Sequence, residues 1–87
     1  MRHLLMRCKV ADYDRWEAVY DAARFGRDHV GLREHDVFRN LNDPNEVFIL
    51  FGFDDLMKVE EYVASPAVKE TLRLGGVADA PDFYFLT

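Results

Sequence analysis

The segment EVFILFGF, Glu46 through Phe53, constrains the fold more than any other part of this chain. Six of its eight residues are large and apolar. Successive residues of a strand point to opposite sides, so a strand made from this segment carries hydrophobic side chains on both faces. Helices packed on one face cover only half of them. A chain of 87 residues forms one domain and buries only about 60–65% of the surface it exposes when unfolded. It has little material with which to cover the second face.

The rest of the sequence reads as one domain over residues 1–87. HLLMRCKV (3–10) alternates, with Leu4, Met6, Cys8 and Val10 on one side, and predicts a first strand. Asp12 is a candidate N-cap for YDRWEAVYDAARF, where Trp16, Val19, Tyr20 and Ala23 recur at helical spacing and Gly26 marks the expected end. LREHDVFRN (32–40) and EVFILFGF (46–53) flank LNDPNE, a run rich in turn formers, and predict a hairpin whose loop is longer than a two-residue turn. DDLMKVEEYVA and SPAVKETLRLGG predict a second helical region broken near Pro66, with Ser65 as cap and Gly75 and Gly76 as stop. APDFYFL (80–86) predicts a last short strand. The order β-α-β-β-α-β specifies an α+β, ferredoxin-like domain: a four-stranded antiparallel sheet with both helical regions on one face.

That architecture leaves one set of the central strand's side chains outward, either Phe48 and Leu50 or their neighbours Val47, Ile49 and Phe51. The last strand repeats the problem with Phe83, Tyr84, Phe85 and Leu86. Burying four or five such side chains is worth on the order of 10 kcal/mol, comparable with the whole stability of a small domain. The expected cover is a second copy of the same sheet, giving a homodimer joined through its sheet faces. The competing arrangement is a monomer whose outer face is shielded by long Arg and Lys stems.

Charge excludes other roles. Eleven Lys and Arg are interleaved with sixteen acids for a net charge of −5, which argues against a nucleic-acid partner. The apolar runs fall far short of the roughly 20 residues that span a bilayer, and MRHLLMRCKV is too short and too interrupted by charge for a signal peptide. A cytoplasmic protein without a membrane partner is expected. The lone Cys8 suits a reducing compartment.

Three stretches, KVADYDRWEAVYD (9–21), VFRNLNDPNEVFILFGFDDL (37–56) and SPAVKETLRLGGVADAPDFYFL (65–86), carry a family likeness. With Tyr13 and Trp16 early on the first helix, the RNxxDPNEV hairpin and the closing GVADxPDxYFL, the chain resembles the small dimeric α/β-barrel proteins related to the antibiotic biosynthesis monooxygenases. The resemblance implies a dimeric α/β barrel and, as activities, cofactor-independent oxygenation or cyclisation of aromatic or polyketide-like compounds. It also implies RHKV on the first strand and DEH near the end of the first helix, where this chain reads RCKV and DAAR. Cys8 and Ala23 therefore stand where histidines are expected.

In such a fold the ligand cavity lies between the helices and the sheet. Trp16 and Tyr20, one turn apart, and Cys8 on the apolar side of the first strand suggest a pocket for a flat hydrophobic molecule; the alternative is ordinary core packing. His35 is the candidate base. Alternation sets it on the face of Arg33, Val37 and Arg39, so that if this face lines the cavity His35 accepts a substrate proton and Arg39 steadies the anion. If the face is turned to water or a partner, His35 is a surface residue. His29 and His3 read as solvated. The histidines and Cys8 show no metal-ligand spacing, and no GxGxxG or phosphate-binding loop is present, so no metal or cofactor is expected. Two functions remain: a cofactor-independent enzyme with His35 and Arg39 as catalytic groups and Cys8, Trp16 and Tyr20 as binding groups, or a noncatalytic dimer that binds a ligand or protein.

Overall fold

The computed structural model describes residues 2–87. Its elements are β1 (Arg2–Lys9), α1 (Tyr13–Ala22), α2 (Arg24–His29), β2 (Arg33–Asn40), β3 (Asp43–Phe53), α3 (Leu56–Val63), α4 (Pro66–Leu74) and β4 (Asp82–Leu86). The strands form one antiparallel sheet in the order β2-β3-β1-β4. This is the expected ferredoxin-like layout, with each helical region in two pieces.

The helix ends follow local chemistry. Asp12 accepts from the Asp14 amide, Asp55 from the Lys58 amide and Ser65 Oγ from the Val68 amide, which gives α1, α3 and α4 side-chain caps. Ser65 and Pro66 separate α3 from α4 as the sequence indicates. The first helical region departs from expectation. α1 stops at Ala22, and α2 then runs through Gly26 rather than ending there. A Cβ at Gly26 would come within 3.1 Å of the Tyr62 hydroxyl, so this glycine permits a close approach between helices. The chain turns instead at Gly31, whose φ of 74° lies in the left-handed region.

The hairpin is tighter than expected. Asn40 pairs with Asp43 across the two residues Leu41 and Asn42, and the next pair is Arg39 with Val47. The surplus residues Pro44–Glu46 are absorbed as an irregularity within β3, which tolerates a proline there because the ladder is already interrupted. Asn40 Oδ1 accepts from the Asn42 amide at 2.8 Å, and Arg39 Nε donates to the Pro44 carbonyl at 2.8 Å.

Alternation sorts the sheet into two unlike faces. Leu4, Met6 and Cys8 of β1 and Val47, Ile49 and Phe51 of β3 are buried beneath the helices. Leu5, Phe48 and Leu50 point the other way and are only half-buried. They are joined there by Phe38, 50% exposed, and Tyr84, 49% exposed. Among the described residues no helix is long and apolar enough to cross a membrane.

Candidate functional site

α1 delivers two aromatic rings to the space between the helices and the sheet. Trp16 and Tyr20, one turn apart, stack at 4.8 Å between centroids with 18° between their planes. Gly75, just beyond α4, makes room for the indole: a Cβ there would stand 3.2 Å from Trp16 Cδ1. Leu4 and Met6 form the floor with Phe51 and Phe83, while Leu72 and Val68 close the α4 side. They bound an almost wholly apolar cavity of about 60 Å³.

The polar groups at this cavity are few. The Tyr20 hydroxyl donates to Glu34 Oε1 at 2.8 Å. Burial, reinforced by that carboxylate, pushes the phenol well above its ordinary pKa, so it stays protonated. Arg27 of α2 is the other polar group, and sequence reasoning missed it. Its guanidinium lies 3.7 Å from the centre of the Tyr20 ring, its Nη1 donates to the Tyr20 carbonyl at 2.8 Å, and the residue is 9% exposed. The Tyr20 carbonyl lies in the last turn of α1 and also accepts from the Ala23 amide at 3.2 Å, so Arg27 adds a second, charged donor that caps α1 from the following helix. A signal for it existed, because Trp16, Tyr20, Ala23 and Arg27 follow one helical stripe. Ending the helix at Gly26 hid the fourth member.

The structure brings Trp16 and Tyr20 together at the cavity, with Ala23 also in its lining. Cys8 is not in that lining; it is a free, 1% exposed core residue. Burial, opposed only in part by Arg7, pushes its thiol up to about 11, the behaviour of an inert cysteine.

His35 and Arg39 are not brought together. A bulge between Glu34 and Asp36 interrupts the alternation of β2. Glu34 pairs with Phe51 and Val37 with Ile49, both on the helix side, whereas His35 sits over Gly52 on the outer face, where a Cβ would overlap its Nε2. Its ring lies 5.8 Å from that of His3. Arg39 is on the helix side, its guanidinium 3.7 Å from the centre of the Tyr13 ring. The shared face expected for His35, Val37 and Arg39 is thus corrected by one inserted residue. His29 is exposed at the end of α2.

No family model matches the sequence, and no curated protein matches it. Solved structures do. A Bordetella bronchiseptica protein assigned as an antibiotic biosynthesis monooxygenase superposes with a TM-score of 0.80 at 14% identity, over 99% of this chain and 94% of that one. A Caulobacter crescentus protein with the same assignment gives 0.74 at 14% identity, over 98% and 86%. SnoaB, a cofactor-independent oxygenase from Streptomyces nogalater, gives 0.76 at 14% identity, over 99% and 90%. Identity this low transmits architecture and not chemistry. The cavity under the Trp16–Tyr20 stack therefore sits in an α+β ferredoxin-like domain with the fold of the antibiotic biosynthesis monooxygenase structures.

Proposed function

We propose that this protein binds an aromatic or polyketide-like small molecule between its helices and its sheet, and acts on it as a cofactor-independent monooxygenase or cyclase. The observation that carries the reading is the apolar cavity walled by Trp16 and Tyr20, in a fold shared with the cofactor-independent oxygenase SnoaB. Either reaction starts from a substrate that readily loses a proton and whose anion is held away from water. The apolar walls supply the dry surroundings. Trp16 and Tyr20 supply stacking surface, and Arg27 the positive charge nearest that stack.

Size adds a requirement. Pockets around drug-sized ligands measure about 300–1,000 Å³, so a cavity of about 60 Å³ must widen to admit a polycyclic compound. α4 is the wall that can yield: none of its residues is fully buried, and the glycine pair Gly75–Gly76 follows it. Roles for His35 and Arg39 belong to separate surfaces, and His35 takes part only if a substrate reaches the outer face of the sheet.

The same reading makes the protein a homodimer. Phe38, Leu50 and Tyr84 form an apolar outer face that a second sheet would cover. The buried free thiol of Cys8 suits the reducing cytoplasm.

The test is incubation with anthrones and quinols under air, following oxygen uptake, together with fluorescence titration of Trp16, the single tryptophan. Oxygen uptake that Trp16→Ala abolishes supports the enzyme. Saturable quenching without turnover identifies a noncatalytic ligand-binding dimer. Neither uptake nor quenching sinks the reading.

A further inference from the structure

Arg27 is nine-tenths buried and carries a charge that no acidic side chain neutralises. Among the described residues no carboxylate lies within 4.0 Å of it, whereas Arg24, Arg33 and Arg73 each have one and Arg7 has two. Capping α1 uses one of its five N–H donors, and stacking on Tyr20 uses a face of the plane and no donor. No side-chain nitrogen is fully enclosed without a partner, so the remaining donors keep some access to open space. A buried cation is costly unless an anion or hydrogen bonds compensate it.

The open space is specific. Arg27 borders the apolar cavity on one side and, on the other, a polar recess of about 270 Å³ between α2 and β2. Arg24 and Arg33 stand in that recess with Asp28 and Glu34. Arg24 is paired with Asp28 at 3.7 Å and Arg33 with Asp54 at 3.5 Å, while Glu34 keeps its charge, accepts from the neutral Tyr20 hydroxyl and lies beyond 4.0 Å of Arg27. Arg27 is left as the unneutralised cation where an apolar and a polar chamber meet.

Resting on the cavity reading above and narrowing it, we propose that the ligand is an aromatic carboxylate, with its ring system against Trp16 and Tyr20 and its carboxylate on the free edge of the Arg27 guanidinium. The planar fork of guanidinium matches a carboxylate in a paired hydrogen-bond geometry. A single negative charge suits the site. Asp28 and Glu34 in the same recess oppose a dianion such as a phosphate ester.

The experiment is calorimetric titration of the full-length protein with 2-naphthoate and with its neutral counterpart 2-naphthamide, at low and high salt. The expected result is affinity for the acid greater by about tenfold or more, a preference that salt weakens and that Arg27→Gln abolishes while amide binding persists. The wild-type comparison needs no variant, so it decides the matter even if Arg27→Gln folds poorly. Equal affinity for acid and amide overturns the carboxylate assignment and leaves the aromatic cavity standing, as does an acid preference that survives in folded Arg27→Gln. Failure of both probes to bind overturns the cavity reading itself and the carboxylate with it.

Discussion

Arg27 lays its guanidinium on the ring of Tyr20 and donates to the carbonyl of that same residue. One side chain thereby ends α1, packs its aromatic wall and brings positive charge to the cavity. Arg27→Ala removes a charge-assisted hydrogen bond and a cation–π contact, and is expected to lose about 2–3 kcal/mol. Arg27→Lys keeps a cation at the end of α1 but not the flat stacking surface, and is expected to lose about 1 kcal/mol. Urea unfolding of the two variants measures the difference. An Arg27→Lys variant as stable as the wild type would show that the planar stack contributes nothing.

Gly75 and Trp16 define a second tight place. The φ of Gly75 is −77°, so any residue can adopt its backbone and only space is at issue. An added methyl at 3.2 Å from the indole must push the ring or α4 aside. Overpacking costs about 1–3 kcal/mol, against a gain of about 0.4–1 kcal/mol from a stiffer unfolded chain. Gly75→Ala is therefore expected to lower stability by roughly 1 kcal/mol and to shift the Trp16 emission. Unchanged emission and melting temperature would mean that the indole is not held against this turn.

The order of elements, the break at Pro66 and the inward set Leu4, Met6, Cys8 could all be read from the sequence, because each rests on a local rule: periodicity, a cap, a missing N–H. The face of His35 could not. It depends on a single bulged residue in β2, and nothing in REHDV marks which residue leaves the ladder. The same holds for the hairpin, where a two-residue turn followed by an irregular Pro44–Glu46 has the composition of one longer loop. Trp16 and Tyr20 were found because they recur on one helix face. Arg27 was missed because Gly26 reads as a stop, while its real service is to Tyr62, 36 residues further along the chain.

Cys8 gives the protein a pH signature. Its folded pKa is raised from 9.0 to about 11, so the folded state holds the proton more tightly than the unfolded one. Its contribution is intact below about pH 9 and lost as pH rises toward 11. At about 1.4 kcal/mol for each tenfold in proton affinity, the loss attributable to this thiol is roughly 2–3 kcal/mol. Tyr20 titrates in the same direction but is present in both proteins if wild type is compared with Cys8→Ala. The stability of the wild type should fall more steeply between pH 9 and 11 than that of the variant. Parallel curves would show that the thiol is not sealed in the core.

Leu50 lies between Leu5 of β1 and Asp36 of β2 on the outer face of the sheet, the surface proposed to meet a second subunit. A charge there has little effect on a lone subunit, since Leu50 points away from the core, and surface substitutions shift stability by about 0.5 kcal/mol or less. In a dimer the same charge is taken out of water between the two sheets with only Asp36 opposite it, and desolvating it is expected to cost several kcal/mol more than that pair returns. Leu50→Lys is thus expected to sediment at subunit mass at concentrations where the wild type sediments at twice that mass, with the helical signal of its circular dichroism retained. Should the wild type itself sediment at subunit mass across the micromolar range, the apolar outer face is tolerated in water and pairing through the sheets is wrong. The Arg27 cavity lies on the opposite side of the sheet and would survive that result.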